Sequence, residues 1–245
     1  MTSSSVVAPD ISVIVPVLHE GVTIASTLEQ IAAIAGSIAY EVIVVDGDPQ
    51  GSTLPYLPQG TLGIVSKAGR GHQMNAGAEC AQGRILLFLH ADTRLPSQAL
   101  QKIVYTIEKT KAVAGAFDFS IDSPRWILGW ISRGASLRTR LTRLPYGDQA
   151  IFIARTIFNA LGGYPDFPIL EDVELMRRLK RQRLPIALIC DRVSVSARRW
   201  EQEGILFCTL RNWILLSLYY LGVSPHYLAK WYRPLSPLQK TEQKI

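Results

Sequence analysis

A chain of 245 residues suits one large α/β domain and leaves little room for a second independent core. Hydrophobic residues make up 48%, ordinary for a globular protein with a sizeable core, and the net charge of +6 favours acidic partners: nucleotide phosphates, anionic lipid or nucleic acid. Three widely spaced cysteines, Cys80, Cys190 and Cys208, draw neither a disulfide framework nor a zinc pattern, which points to a reducing cytoplasm.

The first ten residues have no basic n-region and no apolar h-region, so no signal peptide is expected and residues 1–9 read as a frayed tail. Ile11–Val15 reads as a first strand stopped by Pro16. Glu20–Ala35 spaces Ile24, Leu28 and Ile31 as a helix does, with Gly36 at its end. Glu41–Val45 is a second strand ending at Asp46, followed by the turn-rich G-D-P-Q-G-S-T. Leu62–Ser66 is a third strand, and His72–Ala81 a helix closed by Gly83. Ile85–Leu89 is an unbroken apolar run, as expected of a strand buried on both faces. A helix runs from Ser97, as N-cap, to about Thr110.

Repeated β-α-β with short connections implies a mostly parallel central sheet flanked by helices on both faces. Beyond it come a strand over Ala112–Ile121, a basic amphipathic helix over Trp126–Arg143, and a strand over Gln149–Ala154. A helix over Leu170–Arg181 and a short strand over Ile186–Cys190 follow. Ile205–Val223 is the one membrane candidate, but Arg211 and Asn212 near its middle argue against a span. A core helix or an interfacial helix touching lipid remain. One domain is expected over residues 10–233 with C-terminal helices, and a tail over 234–245.

Chemistry concentrates at strand ends. If the chain stays extended past Leu89, His90 and Asp92 point the same way at the carboxyl end of a central strand, where open α/β sheets bind ligands. That pair suits a divalent metal on a phosphate; the plainer reading is a strand ending in polar residues. Asp46 ends a neighbouring strand, and Asp172 opens a helix in L-E-D-V-E, where acids are also common because they complement the helix dipole. Asp148 follows a stretch with five arginines (Arg125, Arg133, Arg138, Arg140, Arg143) and no acid. This is either an acceptor site for a phosphate or carboxylate, or a solvated helix face. Arg177, Arg178, Lys180, Arg181 and Arg183 read as plain surface, and His72 and His226 have no sequence partner.

V-P-V-L-H-E at Val15–Glu20, V-V-D-G at Val44–Gly47, H-A-D at His90–Asp92 and L-E-D-V-E at Leu170–Glu174 occur in the order and rough spacing of glycosyltransferase family 2. The chain resembles that family, whose members have the GT-A nucleotide-sugar-binding fold. Within it, the chain looks most like the arsenosugar-biosynthesis, or radical-SAM/selenodomain-associated, group. That likeness rests on Gly71–Ala78, Leu86–Thr93, Gly147–Phe152, Gly162–Pro165, A-R-R-W and a later G-V-S-P, and it covers roughly Asp10 to Arg233.

The resemblance implies donor contacts from Pro16, Val17, Glu20, Asp46, Arg70, Asn75, Ala91 and Arg199. It implies Mn²⁺ or Mg²⁺ at Asp92 with His90, Asp172 as catalytic base, and acceptor contacts from Asp148, Glu171 and Trp200. Three departures stand out. His19 replaces the usual Asn of V-P-x-x-N-E, D-G-D-P replaces D-D-G-S, and His90 replaces the first acid of D-x-D, tilting the metal site toward Mn²⁺. Ser196 holds the Gln position of Q-x-x-R-W, against a processive polymerase.

The implied reaction is inverting transfer from a nucleotide-diphosphate sugar to a small or lipid-like hydroxyl acceptor. The implied place is the cytoplasm, with a peripheral site on the inner membrane face as an open alternative. The chief rival is a nucleotide-binding relative without transfer activity. A dehydrogenase is disfavoured because Met74 stands where the third Gly of G-x-G-x-x-G belongs, and nucleic-acid binding because no recognition motif appears.

Overall fold

The computed structural model describes residues 8–232; the expected tails fall mostly outside that range. The chain divides into two compact units, one ending at Ala197 and one starting at Arg198.

The first unit is built on one eight-stranded sheet. Its strands are β1 (Ile11–Val17), β2 (Tyr40–Asp46), β3 (Leu62–Val65), β4 (Ile85–Phe88), β5 (Thr93–Arg94), β6 (Ala114–Asp122), β7 (Phe152–Ala154) and β8 (Ile186–Ser196), in the order β3-β2-β1-β4-β7-β6-β8-β5. The β3-β2-β1-β4 half is parallel, as β-α-β repetition requires. Past β4 the sheet is mixed: β7 runs antiparallel to β4 and β6, β8 runs parallel to β6, and β5 antiparallel to β8.

Both faces are covered. Ile11, Val13 and Val15 of β1 and Ile85 and Leu87 of β4 face α1 (Ile24–Ile34) and α3 (Ala99–Lys109), joining Leu28, Ile31, Leu100 and Ile103. Ile14, Leu86 and Phe88 face the other way, toward α2 (Arg70–Cys80) and α6 (Glu171–Arg181), joining Met74, Leu175 and Leu179. Side chains alternating across a doubly covered sheet account for the unbroken apolar run of β4. Burying each such Leu or Ile contributes roughly 1.5–3 kcal/mol. Gly77 lets α2 lie close on the strands, since a Cβ there would sit 2.5 Å from Ile14 Cγ2.

Several sequence boundaries shift. β1 continues through Pro16 to Val17. Ile14 O accepts from Leu89 N and Val17 O from Gly47 N, so alternation turns the nitrogen of Pro16 to the β4 side. The β4 ladder has already ended there at Ile14–Phe88, and the missing N–H costs no bond. The α3 cap is Gln98 in the left-handed region (φ 58°), not Ser97, and β8 runs to Ser196 because β6 pairs with it that far. Gly83 does not close α2; its N–H donates to Ser12 Oγ at 2.8 Å.

The first unit also carries α4 (Trp126–Thr142) and α5 (Arg155–Ala160). The second comprises α7 (Arg198–Glu203), α8 (Ile205–Tyr220) and α9 (Pro225–Leu228). In α8 the buried side holds Cys208, Arg211, Leu215 and Tyr219, and Arg211 pairs with Glu203 at 2.5 Å. No helix among the described residues is long and apolar enough to cross a membrane.

Candidate active site

Because β2, β1 and β4 are parallel neighbours, their carboxyl ends open on one edge of the sheet. Val17 and Asp46 end their strands in register. Three bonds tie these ends together: Gly47 N–H and the Gln73 amide donate to Val17 O, and the same amide donates to Val45 O at 2.8 Å. Glu20 serves the next element, its carbonyl accepting from Thr23 and Ile24 N–H where α1 begins and its carboxylate from the Thr23 hydroxyl.

Asp46 is fully buried. Its two oxygens accept the N–H groups of Asp48 (2.9 Å) and Thr53 (2.7 Å), so the carboxylate organises the Gly47–Thr53 loop from beneath. His19 and Asp48, at two of the departures from the family pattern, face each other. His19 Nδ1 lies 3.0 Å from Ser52 Oγ and 3.5 Å from Asp48 Oδ2. The Gln50 N–H and Ser52 hydroxyl hold the Asp48 carboxyl below its ordinary range, with smaller help from His19.

At the end of β4 the chain does not stay extended. Thr93 N–H donates to His90 O, and Thr27 Oγ1 donates to Ala91 O at 2.6 Å, making a turn over 90–93 pinned to α1. The period-two argument for a side-by-side His90 and Asp92 therefore fails. Asp92 is exposed, with no side-chain hydrogen bond or ion pair among the described residues.

His90 turns instead to the far carboxylates. A Cβ built on Gly147 would stand 3.2 Å from Asp172 Oδ2 and 3.3 Å from His90 Nε2, so the three groups meet at one point. Gly147 N–H donates to Asp172 Oδ2 at 2.5 Å, and Val173 N–H to Oδ1 at 2.8 Å. Desolvation, and then the Arg70 charge, lower the His90 pKa to about 3, leaving a neutral imidazole.

Two further carboxylates join this group. Burial and the Asp172 charge raise Asp148 to about 6, with Arg138 and Arg70 pulling the other way. Burial and Asp172 also raise Glu171, against Arg70. Tyr164 is pushed well above its ordinary range by burial and then by the Asp172 and Glu171 charges. α2 and α6 present Arg70 and Glu171 together because Gly71 leaves room: a Cβ there would meet Pro165 O at 3.1 Å and Glu171 Cβ at 3.6 Å.

Of the sequence-derived residues, the structure thus brings together His90, Asp148, Glu171, Asp172 and Arg70. Asn75 is engaged otherwise: it exchanges two 2.9 Å bonds with the Tyr164 backbone and so clamps α2 to the Gly162–Pro165 turn. Arg199 and Trp200 belong to the second unit, on α7, where the Arg199 guanidinium lies 4.5 Å from the Tyr232 ring centre. The basic cluster of α6 is tethered by Glu174, which Arg181 approaches at 2.7 Å and Arg178 at 3.4 Å.

Gln73, Gly147 and Tyr164 were not singled out by sequence, and Arg138 was named only as one of five arginines. Arg138 stacks 3.3 Å from the Tyr146 ring centre, inside the arginine-rich stretch, and Gly147 lies in the quoted G-D-Q-A-I-F motif.

As for a metal, Asp92 is unpaired and His90 is in the neutral form a ligand requires. No three His, Cys, Asp or Glu side chains among the described residues form a metal cluster. This donor set fits an ion held by one or two protein ligands and completed by substrate phosphates, rather than a self-sufficient cage.

The family model for glycosyl transferase family 2 matches residues 12–158, more than half of the chain. The chain belongs to glycosyl transferase family 2. Its α/β architecture is the GT-A fold of that family. Asp172 and Glu171 lie beyond the matched residues. Two solved structures of S. aureus TarS 1–349 are similar in fold. The complex with UDP-GlcNAc has a TM-score of 0.59 at 17% identity, covering 76% of this chain and 58% of that one. The other has a TM-score of 0.60 at 15% identity, covering 89% and 68%. The chain thus spans under two thirds of the TarS structure that holds UDP-GlcNAc. No match was found among curated protein sequences.

Proposed function

We propose that the protein transfers a sugar, with inversion, from a nucleotide-diphosphate sugar to a hydroxyl acceptor at the carboxyl edge of β2, β1 and β4. The observation that carries this reading is the meeting of Asp172, Asp148 and Glu171 with His90 and Arg70 in a family 2 chain. UDP-GlcNAc in a TarS structure of the same fold supports a nucleotide sugar as donor.

In the reaction, Asp172 takes the proton of the acceptor hydroxyl as its oxygen forms the bond to the anomeric carbon. The bond from that carbon to the diphosphate oxygen breaks, and a nucleoside diphosphate leaves with the electron pair. Gly147 and Val173 N–H groups fix the Asp172 carboxylate in position. Arg70, at the start of α2, offers positive charge to the leaving diphosphate. Pro16, Val17, Glu20 and the Asp46-organised loop form the nucleoside side, with Asp48 as a second carboxylate of that loop. Asp148 and Glu171 line the acceptor side, and Arg199 and Trp200 are kept as donor and acceptor contacts by family resemblance alone. A bound Mn²⁺ or Mg²⁺ would supply charge against the diphosphate, with exposed Asp92 as the carboxylate that would hold it and His90 its partner by family resemblance alone.

The acceptor is a small molecule or a lipid-like alcohol. The first follows the resemblance to the arsenosugar-associated group, and the second goes with a cytoplasmic protein in peripheral membrane contact. A thermal-shift screen of nucleoside diphosphates and their sugars, with and without Mn²⁺, tests the reading. Stabilisation by one nucleotide class, enhanced by Mn²⁺, is expected; no response to any nucleotide would reject it. Binding without release of nucleoside diphosphate would favour a degenerate nucleotide-binding relative, for which the altered D-G-D-P and H-A-D segments speak.

A further inference from the structure

Helix α4 is built inside out. Apart from Leu128, which is fully buried, the side against the sheet is polar and small. Ser132 Oγ accepts from Ile121 N–H, Ser136 Oγ from Phe119 N–H, and Thr139 Oγ1 lies 3.0 Å from Gln149 Oε1. Four large apolar residues are on the other side, where Trp126 is 76% exposed, Trp130 62%, Leu137 58% and Leu141 76%. Positions 126, 130, 137 and 141 fall on one stripe at helical spacing, about 22 Å long at 1.5 Å per residue. A soluble helix normally buries such a stripe, so this one is made to be covered.

Its charge says by what. Arg133 lies on the same stripe, its guanidinium 5.3 Å from the Trp130 ring centre. Arg125 and Arg143 flank the helix, and none of these three has an ion pair among the described residues. The other two arginines are already engaged, Arg140 with Asp118 and Arg138 with Tyr146. No acid occurs from Arg125 to Gly147. A symmetric contact between two copies would set this basic stripe against itself, which like charge opposes. Tryptophan at headgroup depth, leucine beneath and arginine at the edge is the composition of a helix lying in a negatively charged lipid interface.

We propose that the outer face of α4 is a docking surface for an anionic bilayer, entered by Trp126, Trp130, Leu137 and Leu141 and held by Arg125, Arg133 and Arg143. The helix runs directly into the segment carrying Gly147 and Asp148, so docking places that segment near the lipid surface. The surface gives a location to the peripheral contact suggested above, and it stands whether or not the protein transfers sugar, because lipid binding is read directly.

The test is co-sedimentation of the full chain with phosphatidylcholine vesicles and with phosphatidylcholine–phosphatidylglycerol vesicles. Binding to the second alone, weakened by salt, is expected. Arg125→Gln/Arg133→Gln/Arg143→Gln should weaken it on the order of a hundredfold. Trp126→Ser/Trp130→Ser should weaken it at least about tenfold, with the thermal transition unchanged. A matched variant of the exposed α8 residues, Leu206→Ser/Trp213→Ser, checks the location. Loss in that variant with full binding by the α4 variants would overturn the assignment. So would equal binding to both vesicle types, no binding to either, or concentration-dependent dimerisation abolished by the α4 substitutions.

Discussion

His90 and Asp172, on separate elements, converge on Gly147: a side-chain carbon placed there would touch His90 Nε2 at 3.3 Å and Asp172 Oδ2 at 3.2 Å. Gly147→Ala is therefore expected to push the carboxylate aside by a few tenths of an ångström. Turnover should fall about ten- to a hundredfold, because a misplaced reacting group loses its alignment. Donor affinity, measured by calorimetry, should change little. A large loss of donor affinity would place Gly147 on the nucleotide side instead.

Asp148 carries a pH signature. Its pKa in the folded chain, about 6, lies above the ordinary carboxylate value because of burial and the Asp172 charge. The folded state therefore binds more protons between about pH 4 and 6. The stability this group contributes is complete below that window and lost as pH rises through it. Asp148→Asn should thus stabilise the protein at pH 8 by about 1–2 kcal/mol, after allowing for partial solvent screening, or about 3–6 °C in Tm. The gain should shrink toward pH 4. A pH-independent shift would contradict this origin.

Asn75 distinguishes a donor contact from a clamp. Its reciprocal bonds to Tyr164 close the Gly162–Pro165 turn, where Gly163 takes φ 70° and leaves room for the Asn75 oxygen. Asn75→Ala should cost about 1–3 kcal/mol, seen as a lower urea midpoint. An unchanged midpoint with weakened nucleotide binding would restore the donor role.

The metal reading has its own readout. With exposed Asp92 as the available carboxylate, Mn²⁺ should bind weakly to the free protein and tightly only with a nucleoside diphosphate, as electron paramagnetic resonance titration would show. Asp92→Asn should remove the cooperative part. Tight Mn²⁺ binding without nucleotide would contradict it.

The parallel half of the fold was legible because its strands obey a simple rule: β1, β2 and β4 are buried on both faces and read as continuous apolar runs. The mixed half was not, since pairing of β7 between β4 and β6 and the length of β8 are decided by distant partners. The site followed the same division. Asp46 and Asp172 were found from motif and position. The approach of His90 to Gly147, where Asp172 also arrives, goes with a turn fixed by Thr27, far away in sequence. Asp148 could be noticed as an acid beside arginines, but only folding sets it next to Asp172. The exposed stripe of α4 was hidden for the opposite reason. An amphipathic pattern does not say which face is turned inward, and here serine and threonine hydrogen bonds to β6 and Gln149 decide it.

Transfer chemistry at Asp172 is tested most directly by following nucleoside diphosphate release from a panel of nucleotide sugars with Mn²⁺, beside calorimetric donor binding. The wild-type protein should release the diphosphate from at least one donor. Asp172→Asn should bind that donor with similar affinity yet release it about a hundredfold to ten-thousandfold more slowly, as loss of a general base does. Equal release by the variant would remove Asp172 from the reaction, and no binding of any nucleotide sugar by the wild type would contradict the transferase itself.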